Sequence, residues 1–140
     1  MPVTIQRAKG STFIGKGPSN HWVVLDTKEE LGGSEASCEP MELILIALGG
    51  CTAMDVESLT RKMHTPADDF KIEITSERSP EHPKVYTKIH LRLSFWGEKL
   101  NENLIKKAID LSQKKYCSVT AMLGKTAEIT NEILINPYRN

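Results

Sequence analysis

The amino-acid sequence predicts an α+β fold in which antiparallel sheets surround one long central helix, and three observations carry that expectation. Apolar residues alternate with polar ones at period two near both ends and in the middle of the chain, the signature of half-buried strands. Between Pro40 and Pro66 runs a long, continuous stretch whose composition suits a helix. Further on, Leu104, Ile105, Ala108, Ile109 and Leu111 repeat at helical spacing.

Taken in order, Val3-Thr4-Ile5, Thr12-Phe13-Ile14 and Trp22-Val23-Val24-Leu25 read as three short strands, the last entered through the turn signal Gly17-Pro18-Ser19-Asn20. Thr27 to Glu39, with Gly32-Gly33 and several serines, reads as a loop that ends next to Cys38. Pro40 suits the first turn of a helix, where a missing N–H costs nothing. The helix it opens should reach His64 and span roughly 36 Å. Residues 43 to 48 are apolar on every face, which normally requires cover all round, whereas Asp55, Glu57, Arg61 and Lys62 give the second half a wet side. Gly49-Gly50 should cost this helix roughly 2 kcal/mol against alanines, so either another segment approaches the backbone there or the helix bends.

Phe70, Ile72 and Ile74 mark a strand, and Val85, Thr87, Ile89, Leu91, Leu93 and Phe95 a second one, joined across Ser79-Pro80-Glu81-His82-Pro83 as an antiparallel hairpin with one face on a core. His90 and Arg92 fall on the opposite, solvent face. Asn101 is a good N-cap for a helix from Glu102 to Lys115, Ser118 for a short one ending at Gly124, and Ala127, Ile129, Ile133 and Ile135 mark a final strand. At 140 residues the chain is the size of one domain, residues 1–140. A helix longer than such a domain is wide, and apolar all round at one end, calls for a second chain, so an intertwined homodimer is expected.

Eighteen basic and 18 acidic side chains cancel, which disfavours nucleic acid or an anionic membrane as partner. The longest uncharged window, residues 43–54, is short of the roughly 20 apolar residues that cross a bilayer. The N-terminus shows no basic-then-apolar signal pattern. A cytoplasmic location is expected. Three cysteines, without CxxC spacing, argue against a permanent disulfide framework. The four histidines and three cysteines show no zinc-type spacing, so neither a metal nor another cofactor is expected.

Pro40, Ala47-Leu48-Gly49-Gly50-Cys51, the strand pair that follows and Lys115-Tyr116-Cys117-Ser118-Val119 together resemble the OsmC/Ohr family, especially its short YhfA-type branch. The resemblance covers roughly residues 38 to 135. It implies an intertwined α+β dimer and, as in the OsmC and Ohr branches, a thiol peroxidase acting on organic hydroperoxides in oxidative stress defence. Cys51 would then attack the peroxide, Cys117 would resolve the product as a disulfide, and a dithiol reductant, lipoylated proteins among them, would recycle it. Those branches activate the thiol with an N-terminal arginine paired with a glutamate directly after the proline. Here Met41 follows Pro40, Glu42 comes one position later, and Arg7 is the only arginine before Arg61. Activating or pocket-lining roles therefore fall to Glu42, His21, Lys16, Arg7 or Met41 of either subunit. Asp55, four residues past Cys51, can lie beside it and would disfavour a thiolate. The competing expectation is a non-catalytic dimer that holds a small apolar ligand, favoured by Met41, or one that senses redox state. Cys38 has no counterpart in the motif and reads as a passenger.

Overall fold

β1 (Thr4–Lys9), β2 (Thr12–Lys16) and β3 (Trp22–Leu25) form an antiparallel sheet in that order in the computed structural model, which describes residues 1–139. Packing divides the chain into two compact units, residues 1–46 and 47–140.

In the first unit, the pairings Ile5↔Gly15, Gly15↔Val23 and Phe13↔Leu25 set Ile5, Phe13, Val23 and Leu25 on one face. Little covers these apolar side chains: every residue of β1 is exposed, and Ile5 and Val23 are 58% and 46% accessible. The loop after β3 is organised by Asp26, a buried carboxylate that accepts hydrogen bonds from the Thr27, Ser34 and Ala36 N–H groups and from the Thr12 hydroxyl. These bonds hold its carboxyl below the usual range, the Thr27 N–H most of all, against the opposing effect of burial. Gly33 lies so close to the Thr27 carbonyl that a Cβ would sit 1.9 Å from its oxygen.

The long helix α1 (Pro40–Lys62) starts as expected at Pro40. Glu42 closes its first turn: its carboxylate accepts from the Glu39 N–H at 2.7 Å while the Glu42 N–H donates to the Glu39 carbonyl, a reciprocal box that satisfies otherwise orphaned donors. At the other end His64 takes a left-handed conformation (φ 57°) and the Thr65 N–H reaches back to the Thr60 carbonyl, a Schellman closure without glycine. By length and composition α1 could cross a membrane, with mean hydropathy 1.5 over its most apolar 18 residues. The expectation of too short an apolar window does not hold for the helix as a whole. In the single chain 22% of that window is buried: Leu48, Thr52, Val56 and Thr60 form a buried stripe at four-residue spacing, Asp55 is hydrogen-bonded to Ser112, and Arg61 pairs with Glu57.

In the second unit β4 (Asp69–Arg78), β5 (Tyr86–Trp96) and β6 (Glu128–Ile135) form a sheet with β5 in the middle. β4 and β5 are antiparallel, pairing Phe70 with Phe95, Ile72 with Leu93 and Ile74 with Leu91. β6 runs parallel to β5, the one parallel pairing among the described strands of a fold whose pairing is largely antiparallel, as expected. The physical reason is the crossover: two helices intervene between β5 and β6 and return the chain to its starting end, as parallel pairing requires. Tyr86, Ile89, Leu91, Leu93 and Phe95 are all buried, together with Ile105, Ala108 and Ile109 of α2 (Glu102–Leu111). The opposite face of the sheet carries charge, with Arg92 on Glu132 at 2.5 Å and His90 on Thr130 at 2.8 Å.

α2 begins at Asn101 as expected, its side chain accepting from the Leu104 N–H. It stops at Leu111 rather than Lys115, because residues Ser112–Tyr116 widen into a single π-helical turn closed by the Cys117 N–H on the Ser112 carbonyl. α3 (Ser118–Leu123) follows, capped by Cys117 and not by Ser118.

A candidate thiol site at the turn between α2 and α3

Helical periodicity alone places Cys51 and Asp55 on one face of α1, four residues apart. The π turn delivers Cys117 to the same place. The two sulfurs and an Asp55 carboxylate oxygen all lie within 4.8 Å of one another. Cys117 is buried, Cys51 half-buried, and neither is in a disulfide.

Each group is held by its neighbours. The Cys117 sulfur accepts from the Thr120 N–H at 3.4 Å, which is the cap of α3, and from the Thr52 hydroxyl at 3.9 Å. Ser112, fully buried at the start of the π turn, donates its hydroxyl to Asp55 at 2.8 Å. The Cys51 and Cys117 sulfurs stand close enough for each to bear on the other's protonation. Burial pushes the Cys51 thiol up, assisted by the bond with Cys117 and by the charges of Cys117 and Asp55, with only the Val119 N–H opposing. Burial also acts to raise Cys117, but hydrogen bonds from Cys51, Thr120 and Thr52 outweigh it and hold that thiol below its ordinary value. The two thiols are thus pushed in opposite directions, Cys51 up and Cys117 down.

The remaining residues singled out in the sequence lie in the first unit. Arg7 stands over the Phe13 ring at 5.8 Å, and Lys16 over Trp22 at 4.7 Å while donating to Asn20. His21 is exposed just before β3, Met41 is half-buried in the first turn of α1, and Glu42 is engaged in the cap described above. The Cys38 carbonyl accepts from the Asp26 N–H. Thr52, Ser112 and Thr120 were not singled out. Thr52 alone left a trace, as a polar residue within the buried stripe of α1.

Comparison with known proteins agrees with this architecture. The family model described as OsmC-like protein matches residues 32–132. Protein YhfA of Escherichia coli is 37% identical over 131 residues, covering 94% of this chain and 95% of that protein. A hypothetical protein from Aquifex aeolicus is 28% identical, with a TM-score of 0.80 and 96% of each chain covered. An organic hydroperoxide resistance protein from Elizabethkingia anophelis shares the fold at 12% identity, with a TM-score of 0.70 over 96% of this chain and 95% of that one. Two small sheets, a long helix and a cysteine pair at the α2–α3 turn are therefore found in a chain that belongs to the OsmC-like protein family.

Proposed function

We propose that this chain is a cysteine-based thiol peroxidase that reduces organic hydroperoxides in oxidative stress defence, working as a cytoplasmic homodimer. The observation that carries the reading is the approach of Cys51 and Cys117, 66 positions apart in the chain yet with sulfurs within 4.8 Å of each other. Closing a disulfide there means bringing sulfurs that already lie within 4.8 Å to about 2.05 Å. The more accessible Cys51 is the attacking group. Its proton passes to Cys117, the thiolate takes the outer oxygen of ROOH, and the O–O bond breaks to give Cys51–SOH and ROH. Cys117 then attacks the sulfenic sulfur, water leaves, and the disulfide forms. The balance is two thiols and ROOH giving a disulfide, ROH and water. An external dithiol, such as a lipoylated protein, restores both thiols.

The homodimer rests on the uncovered apolar surface: Ile5, Trp22 and Val23 in the first unit, and Ile46 and Met54 on α1, are all exposed in the single chain. The raised Cys51 thiol favours a second reading, a dimer of the same fold that holds a small apolar ligand or senses redox state without turnover.

One assay separates the two. Reduced protein with cumene hydroperoxide and a dithiol should consume peroxide at a rate that Cys51→Ser abolishes, while Cys117→Ser allows at most a single turnover and leaves Cys51 to overoxidise. Equal rates for wild type and Cys51→Ser would leave the binding reading standing.

A further inference from the structure

Cys51, Cys117 and Asp55 make the one group of three His, Cys, Asp or Glu side chains among the described residues whose donor atoms converge as closely as a metal ion needs. From this juxtaposition we propose that the reduced site binds one soft divalent cation of the zinc class, with two thiolates and one carboxylate as ligands and a fourth position open.

The geometry is close to what such an ion requires. With Zn–S bonds of about 2.3 Å, two thiolates on a tetrahedral ion stand about 3.8 Å apart. The three donors already lie within 4.8 Å of one another, so ligation asks for a contraction of about an ångström at most between the sulfurs and slightly more between sulfur and oxygen. Two ligands come from one face of a single helix and the third from the turn against it, all on regular or tightly hydrogen-bonded backbone. The carboxylate is also oriented from behind: Ser112, itself buried, donates to Asp55, the kind of support that fixes a metal ligand's direction. Two sulfurs and one oxygen select zinc or cadmium over magnesium or calcium, which take oxygen ligands. Cys51 and Asp55 are only half-buried, so an ion has a way in.

Ligation is a substitution, with no change in oxidation state. The sulfurs bind as thiolates, and the protons they carry are released to solvent. A Cys51–Cys117 disulfide has no thiolate to offer, so oxidation and metal binding exclude each other. Metal binding does not depend on peroxide turnover and is tested without it.

Reduced full-length protein is titrated with cadmium(II), following the thiolate-to-cadmium charge-transfer absorption, and zinc(II) is measured by competition with a chromophoric chelator. The expected result is one equivalent of either ion per chain. The same protein oxidised to the disulfide should bind neither. Cys51→Ser and Cys117→Ser should each weaken binding by at least about a hundredfold, and Asp55→Asn by at least about tenfold, with Cys38→Ser unaffected. Absence of a saturable one-equivalent signal in the reduced wild type overturns the site. So does unchanged binding in Asp55→Asn or in the oxidised protein, neither of which requires a cysteine variant to fold.

Discussion

The two three-stranded sheets are built from the same kind of sequence and have opposite fates. In β5, Ile89, Leu91, Leu93 and Phe95 alternate with polar residues and are at most 1% accessible. In the first sheet Ile5 and Val23 share one face with Phe13 and Leu25 and yet remain exposed. The difference is in what the chain supplies to cover them. The second unit contributes α2, with Ile105, Ala108 and Ile109 buried, whereas the first unit has only a loop and the start of α1. Alternation thus records that a face is meant to be buried without recording whose residues bury it. A sheet left bare by its own chain is the kind of surface that the proposed homodimer would cover.

Substitutions can break or sharpen this contrast. The largest effect belongs to the covered sheet: Phe95→Ala, which removes a fully buried ring stacked 5.5 Å from Phe70, should cost about 3–5 kcal/mol by urea denaturation. Next comes Gly33→Ala in the first unit, where the new Cβ meets the Thr27 carbonyl. A loss of about 2–3 kcal/mol is expected, and a smaller one would mean that the loop after β3 yields easily. Replacing the exposed pair, Ile5→Lys with Val23→Asp, should alter the stability of the single chain by only about 0.5 kcal/mol yet shift the proposed dimer to monomer in sedimentation. If the dimer survives, the bare face is not where the second copy sits. His64→Gly should bring a gain of about 1 kcal/mol, without any change of association, from relieving a left-handed non-glycine residue at the end of α1.

A pH series adds a further mark on the first unit. Asp26 has its carboxyl lowered in the folded state, so it binds its proton less readily there than in the unfolded chain. Its stabilising contribution is complete above the ordinary carboxylate range and is lost as pH falls through that range and below. Asp26→Asn should flatten the acid limb of stability against pH, and an unchanged limb would show that other carboxylates control it.

Much of this was readable from residues alone, and the misses have physical causes. Pro40 and the apolar run after it located α1, and alternation located β4 and β5. The direction of β6 was not readable, because Ile129, Ile133 and Ile135 alternate identically in parallel and antiparallel partners. The end of α2 was missed because its apolar repeat runs on to Leu111 and nothing in Ser112-Gln113-Lys114-Lys115 announces a wider turn. The cysteine pair came from resemblance to a family. Its supports, Thr52, Ser112 and Thr120, are ordinary residues that acquire meaning only when α1 and the α2–α3 turn meet. Glu42 had been a candidate for activating a thiol, and the Glu39 N–H that it accepts gives it an occupation at the start of the helix.

The widened turn at Ser112–Tyr116 has a consequence for how this site could be gained or lost. A π turn is an α-helix carrying one surplus residue. Deleting a single position there would let α2 wind on regularly and remove the bond from the Cys117 N–H to the Ser112 carbonyl that closes the wider turn. The smallest possible indel would then bear directly on where Cys117 stands against Cys51, so the chemistry hangs on one residue of chain length in a segment that carries no strand.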